Sequence, residues 1–500
     1  MNSRDRHQFF RGRGDSLDNN RPTAYYLYGV VVATSQSRVS RKAVKAEPRS
    51  SDLARQEILE RYRALTSASA SAHARARASL AGGTTGNLRY FQPYPMFFAT
   101  GEGSSMVDLD GRRLLDCFLC NGPLLLGHRH PAIVSAVRTH EATGPLVVNP
   151  LLAVEAAESV QRVVPCAERV RFQNTGTEAV MTAVRLARAA TGRARIVKFL
   201  GHYHGQDDQF LVGLDPTGAP FGSGIPSRAY ADVVQVRYGD IGALERTLDG
   251  DPEIGTVLLD AAMHSGGLWG SSTEYLRQVR DLTRQRKIVL IFDEVITGFR
   301  LAPGGAQAFH QVTPDLATFG KALGAGEKVS AVAGTEALMR HLDPERPVGH
   351  PGVFQSGTSN DGTAGLAAAA AAVDLYGELG EGGQYSVLEG RARRLADGLR
   401  AAFASAGVPH HVNQLSSMLQ LFFSERTPSF EAFAQVPPGP VALFYLAMIN
   451  EGVLLSLPTS NHIYLSFAHT DADIERALAA ARQVLERYDF GAIVRERSTP

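Results

Sequence analysis

Between about residues 165 and 340, short β-branched runs recur, each followed by turn residues and then by alanine-rich text with helical spacing. This alternation restricts the fold more than any other feature of the chain. The runs fall at 170–173, 196–200, 257–260, 288–292, 316–320 and 330–334, with helical text at 178–191 and 276–285 among them. Runs that are apolar throughout predict strands buried on both faces, hence an α/β fold with a mostly parallel sheet covered by helices. In open sheets of this kind the ligand lies beyond the carboxyl ends of the strands, so the residues that follow each run hold the chemistry.

Composition permits a large core: 44% of the 500 residues are apolar and 20% charged, which excludes a disordered or fibrous chain. The 51 Lys and Arg against 50 Asp and Glu argue against nucleic acid or an acidic membrane as partner and favour a small-molecule substrate. Cys117, Cys120 and Cys166 are too few for a disulfide framework and suit a reducing, cytoplasmic setting. The pair Cys117 and Cys120 has no second pair at zinc spacing, and the flanking residues read as strand, so no metal is expected there. No apolar run approaches the roughly 18 residues of a membrane helix.

Charge also divides the chain. Residues 1–50 hold ten Lys or Arg against four Asp or Glu, leaving 41 basic against 46 acidic residues in 51–500. We read 1–50 as a basic, disordered extension, since no secretory apolar stretch with a cleavage site follows it. A helix is expected from 51 to 81, with Asp52 as cap, Leu53, Ile58, Leu59 and Tyr62 on one side, and Gly82-Gly83 as its end. The text divides into an N-terminal segment of a small domain at 51–120, a large ligand-binding domain at 121–375 and a C-terminal small-domain segment at 376–490. In the last, a helix at 388–404 precedes strands at 419–423 and 463–467.

The strand ends carry four chemical signals. After the first run, Asn174-Thr175-Gly176-Thr177-Glu178 opens a helix whose free amides suit a phosphate, although the same turn can be a plain cap. After the second, Gly201-His202-Tyr203-His204-Gly205 offers an aromatic face for stacking on a planar ligand. A His-x-His metal site there lacks further ligands. Asp293 and Glu294 leave an apolar strand on opposite sides, so Asp293 faces the ligand and Glu294 braces a loop. Lys321 follows Gly320 out of apolar text, where burial lowers an amine's pKa and makes it a nucleophile and Schiff-base former. Structural ion pairs are the alternatives for Asp293 and Lys321. Taken together, the four fit a phosphorylated aromatic aldehyde, namely pyridoxal 5'-phosphate.

At these residues the chain resembles the class III pyridoxal-phosphate aminotransferases, and within them the glutamate-1-semialdehyde aminomutases. The resemblance runs from about 51 to 490 and is strongest at VRFQNTGTEAVMTAVRLARAATGR, IVKFLGHYHG, LIFDEVITGFR and PDLATFGKALG. It implies a fold-type-I homodimer with shared active sites, each with a large domain and a smaller α/β domain built from both chain ends. It also implies that Lys321 bonds the cofactor, that Asp293 pairs with the ring nitrogen, and that Tyr203 and Val295 cover the two ring faces. Gly176 and Thr177 would hold the phosphate, Thr358 would reach the phosphate of the neighbouring subunit's cofactor, and Arg89 would clamp a substrate carboxylate.

Other positions depart from that pattern. The family's Glu-Pro followed by Asn reads Asp260-Ala261-Ala262-Met263-His264-Ser265, so a contact to the ring hydroxyl falls to Ser265 or is absent. Asn461 stands where the aminomutases carry an acidic residue. These changes lie on the substrate side and favour a transaminase that moves an amino group from a donor such as glutamate to a specialised carbonyl acceptor. The aminomutase reaction and a catalytically silent binding protein are the alternatives. The Gly-rich segment 206–227 reads as a lid or a plain surface loop.

Overall fold

Seven strands form the central sheet: β1 (Arg169–Gln173), β2 (Arg195–Phe199), β3 (Val233–Val236), β4 (Ile254–Leu259), β5 (Val289–Asp293), β6 (Leu316–Phe319) and β7 (Ser330–Gly334). Their spatial order is β1-β7-β6-β5-β4-β2-β3. The pairs from β6 through β5, β4 and β2 to β3 are parallel, whereas β7 runs antiparallel to both β6 and β1. Every residue of β4 and β5 is buried, as expected of strands covered by helices on both faces. This is a computed structural model, and it describes residues 25–27, 30–32, 50–269, 272–350, 352–425 and 429–498.

The sequence reading located six of these strands and missed β3. That strand has four residues, half of them only partly buried, at the sheet's edge, so it shows no sustained apolar run. The 206–227 segment lies immediately before it and is pinned down. Lys198 Nζ donates to the Val212 carbonyl at 2.7 Å, Gly201 N to the Gly213 carbonyl at 2.8 Å, and Phe210 and Val212 are fully buried. It is a loop anchored by Phe210 and Val212, which belong to the core beside β2.

The helix after β1 spans Gly176–Thr191. Its start is set by a capping box in which the Thr175 hydroxyl accepts from Glu178 N while the Glu178 carboxylate accepts from Thr175 N, and Gly192, at φ 67, ends it. Its apolar face, with Val180, Ala183, Val184 and Leu186, packs on the sheet. That packing holds the helix's first turn at the sheet's carboxyl edge.

Chain ends meet in the smaller part of the molecule. Strands Phe98–Glu102, Ser105–Asp108 and Arg113–Asp116 are extended by Val453–Leu454, paired parallel to Arg113–Asp116. A second antiparallel sheet joins His411–Leu415, Met418–Phe422 and His462–Tyr464. Helices Gln384–Ser405 and Asp471–Arg487 cross where Gly398 meets Leu478, with room for no side chain at the glycine.

The helix expected over 51–81 is two helices, Ser50–Leu65 and Ser67–Ser79. Thr66 breaks it: the residue leaves helical geometry and its hydroxyl donates to the Tyr62 carbonyl at 2.6 Å, competing with the helical ladder. Asp52 lies inside the first turn rather than at the cap, and Leu53 is exposed while Ile58 and Tyr62 are buried. The extension at 1–50 lies outside the described residues, apart from Ser50 and the paired strands Tyr25–Leu27 and Val30–Val32. Cys117 is buried, and the flanking strand ends at Asp116, so Cys120 is exposed in a turn. Among the described residues, no helix is long and apolar enough to cross a membrane.

Candidate active site

Five strand ends converge on one cavity. Gly176 and Thr177 follow β1, Tyr203, His204 and Gly205 follow β2, Asp260 follows β4, Asp293 ends β5 with Val295 and Ile296 beyond it, and Lys321 follows β6. Val180, one helical turn after Gly176, completes the lining.

Asp293 is held on both oxygens. Oδ2 lies 2.7 Å from His204 Nδ1, and Oδ1 accepts from the Thr318 hydroxyl and from Val295 N, each at 3.1 Å. Burial pushes the His204 imidazole below its usual range while the Asp293 carboxylate pulls the other way. Glu294, adjacent in sequence, points away and accepts from Ala306 N, Gln307 N, Gln307 Nε2 and Thr297 Oγ1, so it ties the first turn of helix Gly305–His310 to Thr297 in the loop that precedes it.

Lys321 lines the cavity from a left-handed backbone, φ 42, a conformation that costs energy and is kept where surrounding structure enforces it. Burial lowers its amine to about 8, against the pull of Asp293 and Asp260. Asp260, whose oxygens accept from Ala262 N and His264 N, is pushed up by burial to about 6. Tyr203 sits at the cavity wall with its phenol shifted upward by burial.

The cavity fits pyridoxal phosphate. The start of helix Gly176–Thr191 directs unpaired amides at it. The backbone at Gly176 is pressed on Val295 so closely that an added Cβ would lie 2.9 Å from a valine methyl. At Gly205, φ +95, an added Cβ would lie 2.5 Å from Thr177 Oγ1. A buried carboxylate for a ring nitrogen and a depressed amine for a carbonyl carbon occupy the same pocket.

The remaining predicted residues lie outside this cavity's lining. Thr358 is exposed on the loop before helix Thr363–Glu381. Ser265 is in the short turn His264–Gly266, and Asn461 is buried in the loop before His462–Tyr464. Arg89 is exposed and donates to the Thr85 hydroxyl at 3.0 Å. Its turn adjoins the Asn461 loop, since the Thr459 hydroxyl donates to the Leu88 carbonyl at 2.7 Å.

Sequence reasoning assigned no role to His204, Asp260 or Thr318. The signal for His204 was present: it is two residues from His202 in a turn after a strand, and the two rings find separate partners, His202 accepting from Asp260 N at 3.0 Å. Among the described residues no group of three or more His, Cys, Asp or Glu is placed to hold a metal ion.

A model of aminotransferase class III matches residues 89–480, and the chain belongs to that family. It is a pyridoxal-phosphate-dependent enzyme acting on small molecules. A glutamate-1-semialdehyde 2,1-aminomutase from Desulfatibacillum aliphaticivorans is 39% identical over 401 residues, covering 79% of this chain and 92% of that protein. Among solved structures, an omega-transaminase from Sphaerobacter thermophilus superposes with a TM-score of 0.78 at 32% identity, covering 85% of this chain and 98% of that one. A transaminase with PLP bound gives a TM-score of 0.78 at 27% identity over 86% of this chain and 99% of its own.

Proposed function

We propose that this enzyme shifts the amino group within glutamate 1-semialdehyde, as a glutamate-1-semialdehyde 2,1-aminomutase. The observation that carries the reading is the 39% identity to a curated aminomutase across 92% of that protein's length. The cofactor, when bound, serves as an electron sink for the carbon that carries the amino group.

The chain's residues would act as follows. Lys321 would hold the cofactor carbonyl, give way to the incoming amine, and then carry the proton at the substrate carbon, a task for which its lowered pKa suits it. Asp293, fixed by His204 and Thr318, would keep the ring nitrogen protonated. Tyr203 and Val295 would hold the ring between them, and Gly176 and Thr177 would bind the phosphate. Arg89 would clamp the substrate carboxylate beside Asn461, and Ser265 would meet the ring hydroxyl. Incubation with glutamate 1-semialdehyde and no external donor tests the proposal: 5-aminolevulinate is expected, and its absence in a cofactor-loaded preparation overturns it.

A second reading, transamination from an amino acid such as glutamate to another carbonyl compound, is favoured by one observation. The substrate side holds His264 and Asn461, both buried, where the sequence departs from the aminomutase pattern. L-glutamate alone would then convert the loaded enzyme to its pyridoxamine form, visible as loss of the yellow band.

The assembly we infer is a homodimer. Leu146 pairs with Gly362 in an isolated bridge, and Val148, Leu151, Val348 and Phe354 are strongly exposed apolar residues around the loop that carries Thr358. Three free thiols suit the reducing cytoplasm, where we place the enzyme.

A further inference from the structure

Beside Asp260, where the turn after β4 meets the smaller part of the molecule, lies a buried polar cluster that the cofactor roles leave unused. His264 stacks on His462, ring centroids 3.9 Å apart and 21° between planes, and its Nε2 lies 2.7 Å from the Tyr464 hydroxyl. The Tyr464 hydroxyl also meets Asn121 Oδ1 at 3.3 Å. The backbone of His264 is tied as well, N to the Asp260 carboxylate at 2.9 Å and the carbonyl to Gln420 Nε2 at 2.5 Å. Ring face, one ring nitrogen and the main chain are thereby all determined.

The other ring nitrogen is not. His264 Nδ1 is buried and has no hydrogen-bond partner. Leaving such an atom unpaired is costly, and a native structure tolerates it where a ligand supplies the partner. Asn121 stands on a strained segment: Leu119, Cys120, Asn121 and Gly122 follow one another at φ 49, 54, 72 and 102. Consecutive left-handed residues with side chains collect at ligand sites, where the strain serves positioning. Burial above all, with Lys321 a smaller contribution, holds both imidazoles below their usual range, and Asp260, which accepts from the His264 amide, lines the cavity.

We propose that His264 is a specificity-determining residue whose free ring nitrogen hydrogen-bonds the substrate. With the Tyr464 hydroxyl donating to Asn121, Nε2 carries the ring proton and Nδ1 accepts, so the group it recognises is a hydroxyl or amine on the carbon next to the one bearing the transferred amino group. This rests on the amino-group reading above. A vicinal nitrogen or oxygen function is what an aminomutase substrate carries, and it also narrows the acceptors of a transaminase. Tyr464 is the positioning residue that fixes the ring.

The test uses the full-length, cofactor-loaded enzyme and two amines of equal shape, 1-amino-2-propanol and isobutylamine, which differ by a hydroxyl in place of a methyl. Each is titrated while the cofactor's visible band reports displacement of Lys321. The wild type is expected to favour the amino alcohol by about fivefold or more, the worth of one neutral hydrogen bond. His264→Phe should bring the ratio to about one, and Tyr464→Phe, which leaves His264 in place, should lower it at least about twofold. Equal treatment of the two amines by the wild type, or an unchanged ratio in both variants, overturns the proposal. An enzyme that captures the cofactor yet lets neither amine replace Lys321 overturns the amino-group reading as well, which separates the two failures.

Discussion

Lys321 shows how burial changes the chemistry of an ordinary side chain. An amine brought down to about 8 is deprotonated, and therefore nucleophilic, above that pH, whereas an exposed lysine waits until about 10.4. Capture of pyridoxal phosphate by the apoprotein should accordingly speed up as pH rises and level off just above 8. A stopped-flow series from pH 6 to 10 checks this, and a rise continuing towards pH 10 would contradict it. Asp293→Asn keeps the shape but removes the charge. If the carboxylate holds the ring nitrogen's proton by about 1–3 pKa units, turnover should fall about 10- to 1000-fold while cofactor is still bound. Steady-state rates alongside absorbance stoichiometry measure it. Both residues were legible because each leaves an apolar strand at the ligand edge. His204 was not, because sequence shows neither which way a turn residue points nor that Asp293 Oδ2 lies 2.7 Å from its Nδ1.

At the scale of elements, the helix Gly176–Thr191 turns sequence into function. Its capping box and left-handed terminal glycine are local signals, readable from Thr175, Glu178 and Gly192. The need for glycine at 176 is not local, for it arises from Val295, which arrives on another strand's loop. Gly176→Ala should force that valine aside, cost about 1–3 kcal/mol by overpacking and weaken cofactor binding. Thermal unfolding with and without the cofactor reports both effects, and a variant matching the wild type would show that the contact gives way freely. Periodicity found the long elements for a related reason, since burial on both faces leaves an unmistakable apolar run. It failed at Val233–Val236, a half-buried edge, and at Thr66, where one hydroxyl splits an otherwise continuous helical pattern.

For the whole molecule, the exposed apolar rim around Leu146, Phe354 and Thr358 is what the proposed dimer would cover. Light scattering should return twice the chain's 53.8 kDa. If Thr358 reaches the partner's cofactor phosphate, Thr358→Ala should leave that mass unchanged and weaken cofactor affinity about tenfold, as loss of a hydrogen bond to a charged group does. A monomer of full activity would refute the shared site. The sequence by itself determined the class of fold, the strand ends that line the cavity and the cofactor they suit. Those properties follow from burial patterns and short-range turn chemistry, which are written along the chain. Only the tertiary structure decided that β7 runs antiparallel, that His204 and Thr318 hold Asp293, and that His264, His462, Tyr464 and Asn121 meet beside Asp260. These contacts join residues tens to hundreds of positions apart. The last of them depends on how two sheets from distant stretches of chain are packed together, and no local pattern records any of them.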